Sequence, residues 1–107
     1  MTSAMIRHIV MFSCKDGIDR LTVQKGLSIL TQIPHASKLE IALNEKVDQL
    51  GNVVDVVVYG EFEDQAALDA YKADPLYQQS IDIVRPIREM RVAADYDTAH
   101  AATEALA

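Results

Sequence analysis

Apolar residues along the chain change their period several times, and each change marks an element. Met5–Ser13 (MIRHIVMFS) is dense in Ile, Val, Met and Phe and is bounded by Lys15-Asp16-Gly17. It is too short for a helix and predicts a first strand. From about Asp19 to Ile33 the apolar positions Leu21, Val23, Leu27, Leu30 and Ile33 approximate helical spacing. Asp16 or Asp19 is placed to cap this helix and Pro34 to stop it. Lys38–Val47 alternates Leu39, Ile41 and Leu43 against Lys38, Glu40, Ala42 and Asn44, as a half-buried strand does. Gly51-Asn52 makes a turn. Val53–Phe62 is the most β-branched stretch and predicts a central strand, in which Gly60 marks a bulge or a close backbone approach. Asp64 caps a helix with Ala67, Leu68 and Tyr71 on one side. Asp74-Pro75 interrupts it and starts a second piece, Leu76–Val84, which Pro86 closes. Met90–Tyr96 predicts the last strand. The Ala-rich end is expected to fray or to lie loosely on the surface, so the domain is expected over 1–97 and a tail over 98–107.

The predicted order is β-α-β-β-α-β, an α+β fold of ferredoxin-like type: a four-stranded antiparallel sheet with its helices on one face. Both faces of that sheet are apolar. In the first strand Ile9 and Met11 share one face and Val10 and Phe12 the other; in the third, Val56 and Val58 alternate with Val57 and Tyr59. Helices for one side only leave the other side in need of a cover, and a second copy of the sheet is the expected one. The chain is therefore expected to form a homodimer through that sheet face.

Composition adjusts this picture only slightly. Hydrophobic residues are 50% and charged residues 24% of 107, ordinary globular values with room for one core. A domain this small buries only about two-thirds of its unfolded surface, which again favours pairing. Ten basic against sixteen acidic residues give a net charge of −6. No nucleic-acid or membrane partner is expected, since phosphate binding needs a basic face. The longest apolar run, around Val53–Tyr59, is broken by Asp55 and falls far short of the ~20 residues of a membrane span. Met1–Met5 carry no charged segment leading into an apolar stretch, so no secretory signal is expected. Cys14 is the only cysteine, which points to a reducing compartment and a cytoplasmic location.

Three segments carry a resemblance: Arg7-His8-Ile9-Val10-Met11-Phe12, Ala70-Tyr71-Lys72-Ala73-Asp74-Pro75 and Arg91-Val92-Ala93-Ala94-Asp95-Tyr96. In this order, over roughly Met5–Asp97, they resemble the stress-responsive A/B barrel (Dabb) family. The resemblance implies a dimeric α+β barrel in which two four-stranded sheets pack face to face. It also implies a pocket between sheet and helices, lined by His8, Val10 and Phe12, by Val56 and Val58, by Tyr71 and Tyr77, and by Arg91 with Ala93. A plant polyketide cyclase of this kind performs an aldol condensation without a cofactor. Its base is the second histidine of a His-Pro-x-His stretch after the helix tyrosine. Here that stretch reads Asp74-Pro75-Leu76-Tyr77, so Tyr71 is kept and the base is not. A phenol with an ordinary pKa of about 10 is a poor base near neutrality.

Among the residues themselves, His8 is the best candidate for acid–base work, against the plainer reading of a hydrogen-bonded strand histidine. Tyr71 either donates a hydrogen bond to a ligand oxygen or packs its ring on the sheet with its hydroxyl at the rim. Tyr77 reads as pocket wall. Arg91 in an apolar strand asks for a carboxylate, and a salt bridge to Asp95 on the same strand face is favoured over an anionic ligand group. Asp55 is expected at a strand end or pairing across the dimer. His8, His35 and His100 are far apart, with no metal-ligand spacing, and the glycines form no phosphate loop, so no metal and no cofactor are implied. Nothing around Cys14 indicates a lowered pKa. Three functions stay open: binding of a hydrophobic, oxygenated or phenolic small molecule; a cofactor-independent cyclase, isomerase or monooxygenase in which His8 takes a proton and Tyr71 steadies an oxyanion; and a structural dimer without a ligand.

Overall fold

Alternation does in three dimensions what it promised along the chain. In a computed structural model that describes residues 4–107, β1 (Ile6–Cys14) buries His8, Val10 and Phe12 and turns Met11 outward. It is followed by α1 (Arg20–Leu27), a 3-10 segment (Ser28–Gln32), β2 (Lys38–Leu43), β3 (Val56–Phe62), α2 (Gln65–Ala73), α3 (Pro75–Val84) and β4 (Arg88–Asp97). The sheet is antiparallel with strand order β2-β3-β1-β4, so the two most apolar strands are central. Register places Val10 between Val58 and Ala93, and Phe12 between Val56 and Arg91. The core lies between this face and the helices, where Val23, Leu27, Leu68, Tyr71 and Val84 meet Val10, Phe12, Val56, Val58 and Phe62. The fold is the expected α+β ferredoxin-like one.

Caps account for the helix starts. Asp19 accepts from the Leu21 amide at 2.9 Å, Asp64 from Ala67 at 2.9 Å and Asp74 from Leu76 at 2.9 Å. Each side chain satisfies a backbone N–H that the helix itself leaves unpaired. Asp74 ends α2 and begins α3, with Pro75 in the first turn of the second. The first helix tightens at Ser28. The Ser28 hydroxyl donates to the Lys25 carbonyl at 2.6 Å and Thr31 to Ser28 at 2.7 Å, and the chain runs on as 3-10.

Several strand boundaries differ from the sequence expectation. β2 ends at Leu43 instead of Val47, and β3 begins at Val56 instead of Val53. Asn44 explains the first: its side-chain oxygen accepts from the Lys46 amide at 3.0 Å, its amide donates to the Val54 carbonyl at 2.7 Å, and Lys46 takes a positive φ of 57°. An Asx turn leaves the ladder there. β4 runs longer at both ends than Met90–Tyr96, because β1 pairs with it as far as Cys14↔Arg88 and Ile6↔Asp97. The irregularity in the sheet lies at Ser13/Cys14 in that pairing, not at Gly60, whose register is unbroken. Gly60 is a close approach: a Cβ there would stand 2.8 Å from Cε2 of Phe62 and 3.1 Å from Leu39.

The face away from the helices carries Ile9, Met11, Val57, Ala42, Val92 and Ala94 by register. Met11 is 40% and Val92 53% exposed, so the second apolar face is open in the single chain. At one end of it Arg7 donates to the Tyr96 hydroxyl at 3.1 Å and Tyr59 to Glu61 at 2.6 Å. After β4, the Thr98 amide donates to the Met5 carbonyl at 2.9 Å, and residues 101–107 are exposed without regular structure. Among the described residues no helix is long and apolar enough to cross a membrane.

Candidate functional site

Between sheet and helices lies a cavity of about 320 Å³, at the small end of ligand-site volumes. β1 contributes His8, Val10 and Phe12, and β3 contributes Val58. Tyr71 comes from α2 and Tyr77 from α3, while Leu27 and Leu30 close the side toward the first helix. Ser80, Ile81 and Val84 form the α3 wall. Arg91, Arg88 and Arg85 complete the lining. Two sequence-expected residues lie elsewhere. Val56 is fully buried in the core, paired between Leu43 and Phe12, and does not line the cavity. Ala93 is exposed beside Val10 and is also outside the lining.

His8 is 1% exposed, and its Nδ1 is in close hydrogen-bond contact with Oδ1 of Asp95, the residue directly across β4 from it. A carboxylate can only accept, so Nδ1 carries the proton. Burial pushes the His8 pKa below its ordinary 6.5, against the opposing pull of Asp95, with Lys72 and Arg91 adding to the lowering. A neutral ring protonated at Nδ1 leaves Nε2 with a lone pair, and among the described residues Nε2 has no hydrogen-bond partner. The second oxygen of Asp95 stands 3.7 Å from Nζ of Lys72. The expected salt bridge between Arg91 and Asp95 is therefore not formed. Asp95 is taken by His8 and Lys72, and Arg91 donates instead to the Tyr77 hydroxyl at 3.3 Å.

Tyr71 is 0% exposed, and its hydroxyl lies buried on the cavity wall without a hydrogen-bond partner among the described residues. Of the two alternatives for Tyr71, the one with its hydroxyl at the rim does not hold, since the hydroxyl is in the interior. Its ring is held edge-on by Phe62 at 5.0 Å, Tyr77 at 5.3 Å and His8 at 6.0 Å between centroids. Burial raises its pKa far above that of an ordinary phenol, Tyr77 adds to the rise, and Arg91 opposes it. The group keeps its proton and is a donor. Asp55 stands just before β3, accepting from the Cys14 amide at 2.8 Å and from Lys46 at 2.6 Å. It ties the sheet end together and is remote from the cavity. Burial raises the Cys14 pKa, and Asp55 adds to the rise, so the thiol is held protonated. Among the described residues no three His, Cys, Asp or Glu side chains converge as a metal site.

The sequence matches the family model of the stress responsive A/B barrel domain over residues 6–98, nearly all of the sheet and helices just described. The chain belongs to the stress responsive A/B barrel domain family. Solved structures agree with the assignment. A protein of this family with a ferredoxin-like fold from Mesorhizobium loti is 26% identical, superposes with a TM-score of 0.65, and aligns over 87% of this chain and 95% of its own. A dimeric protein of unknown function and ferredoxin-like fold from Bacteroides fragilis is 24% identical, with a TM-score of 0.69 over 87% of this chain and 95% of that one. A dimeric ferredoxin-like protein of unknown function from Thermobifida fusca is 19% identical, with a TM-score of 0.72 over 90% and 92%. No curated protein matches this A/B barrel chain.

Sequence reasoning found His8 and Tyr71 and missed Asp95 as the partner of His8. The signal was present. An antiparallel β1/β4 pair brings two same-face residues together, but register is not written in either strand alone. It also missed Arg85 and Arg88, which lie outside the expected strand limits.

Proposed function

We propose that this A/B barrel domain binds a small, hydrophobic, oxygenated molecule in the cavity between sheet and helices. The observation that carries the reading is the Tyr71 hydroxyl, buried on the cavity wall and without a hydrogen-bond partner among the described residues. A buried hydroxyl without a hydrogen bond costs about 1–3 kcal/mol, a cost that a ligand oxygen in the cavity removes. Val10, Phe12 and Val58 supply the apolar bed, and Tyr77 closes the site over Tyr71.

A thermal-shift screen with aromatic, phenolic and polyketide-like compounds tests this. A ligand at about a hundred times its Kd stabilises the protein by about 2.7 kcal/mol, which is easily read as a rise in Tm. Tyr71→Phe is expected to leave the unliganded Tm unchanged or raise it, because it removes an unsatisfied group, and to abolish most of the ligand-induced rise. A screen without a single stabilising compound defeats the reading.

A second reading, proton-transfer catalysis without a cofactor, is favoured by the His8–Asp95 pair. Nε2 of a neutral His8 is an acceptor on the cavity lining, and Tyr71 is a donor suited to an oxygen that gains charge as a neighbouring C–H is broken. An isomerase or cyclase acting on a carbonyl compound fits these roles. His8→Gln is then expected to lose turnover while keeping affinity.

We also infer that the domain works as a homodimer joined through the open sheet face. That face is apolar, as Met11 and Val92 illustrate, and dimeric relatives of the same fold support the pairing. The reading has it acting in the cytoplasm, with Cys14 kept as a thiol.

A further inference from the structure

One end of the cavity has a chemistry that a neutral ligand leaves unused. Arg85, Arg88 and Arg91 all line it, three of the ten basic residues of a chain whose net charge is −6. No acidic side chain lines it with them. Among the described residues none of the three forms an ion pair, and Asp95, on the same strand face as Arg91, is taken by His8 and Lys72. Arg91 donates only to the neutral Tyr77 hydroxyl, at 3.3 Å.

Their placement follows from the fold. Arg85 caps the C-terminal end of α3, where the exposed carbonyls favour a cation. Arg88 opens β4 opposite Cys14, and Arg91 follows on the helix-facing side opposite Phe12. Three arginines thereby line the same cavity as Val10, Phe12, Val58 and Tyr71. An anion bound there would find cations that the protein itself does not pair.

We propose that the ligand is a small organic carboxylate, its carboxylate held by Arg91 and Arg88 with Arg85 at the cavity mouth, its apolar body on Val10, Phe12 and Val58, and a second oxygen at Tyr71. The proposal rests on the ligand-binding reading above and adds the charge and polarity of the molecule. A planar carboxylate matches the forked donors of a guanidinium, which accounts for arginine rather than lysine at these positions. A cavity of about 320 Å³ suits one ring or a short chain, not a nucleotide.

Calorimetric titration of the full chain with matched pairs tests it: 3-phenylpropanoate against 3-phenylpropanamide, and 3-(4-hydroxyphenyl)propanoate against its amide. At low salt each acid is expected to bind at least about tenfold tighter than its amide, the scale of one charge-assisted hydrogen bond. That preference is expected to shrink as salt is raised. Arg91→Gln and Arg88→Gln are each expected to weaken the acid by more than the amide, so that the preference shrinks. Equal binding of acid and amide to the wild-type protein overturns the carboxylate assignment while the ligand-binding reading stands. If no member of either pair binds, both fall. The acid–amide comparison on the wild-type chain needs no variant to fold.

Discussion

His8 shows how one side chain is tuned by its surroundings. In the unfolded chain its ring takes up a proton near the ordinary value of about 6.5. In the fold, burial moves that event to lower pH, Asp95 pulling the other way but not prevailing. Between the two values the unfolded state holds more protons, so acid favours unfolding. The stabilising contribution is complete above about pH 6.5 and is lost as pH falls through the folded value. A urea-denaturation series from pH 7 to pH 5 is expected to show stability falling, and His8→Gln to flatten that slope. Asp95→Asn removes the influence that raises the pKa, so the His8 ring is expected to titrate at still lower pH, read from its imidazole NMR signals. A move to higher pH contradicts the pairing. Asp55, whose carboxyl lies below its usual 3.8 because Lys46 and the Cys14 amide outweigh the effect of burial, acts in a separate and more acid window.

Elements are held by positions where a single atom decides. Gly60 is buried on the helix-facing side of β3, and an added Cβ collides with the Phe62 ring, itself fully buried. Gly60→Ala is expected to cost about 1–3 kcal/mol by overpacking, less a few tenths recovered from chain entropy, measured by chemical denaturation. Asp74 joins α2 to α3, and its carboxylate holds the Leu76 amide at 2.9 Å. Asp74→Ala is expected to lower stability by about 1 kcal/mol. It should also loosen the angle between Tyr71 and Tyr77, so a weaker ligand response than the stability loss explains is expected with it. The broken helix was legible in Asp74-Pro75 because proline and its capping neighbour act locally. The 3-10 segment at Ser28–Gln32 was not, since apolar spacing reads alike in both helical forms.

At the scale of the whole molecule, the sheet has one face under helices and one in the open. The proposed pairing through the open face buries Ile9, Met11, Val57 and Val92 against their counterparts. Met11→Lys and Val92→Lys are expected to shift the protein toward a monomer in sedimentation at micromolar concentration and to lower its Tm. The wild-type Tm is expected to rise with protein concentration, because association stabilises only the folded chain. A wild type that sediments as a monomer with a concentration-independent Tm counts against the pairing. The cavity proposed to hold a ligand lies on the opposite face, so the same variants test whether binding depends on the dimer.

What the sequence by itself determined was periodic and local: strand and helix identities, their order, the two apolar sheet faces, the Asp caps and the break before Pro75. Such features depend on neighbours within a turn or two, and the spacing of apolar residues records them directly. The tertiary structure alone decided which polar groups meet. His8 and Asp95 are 87 residues apart, and only the β1/β4 register joins them, taking Asp95 away from the Arg91 that shares its strand face. A strand's pattern says which face a side chain occupies, whereas its partner across the ladder is set by how two distant strands slide to bury their apolar sides together. The His8–Asp95 contact and the places of Arg91 opposite Phe12 and Arg88 opposite Cys14 follow from that alignment.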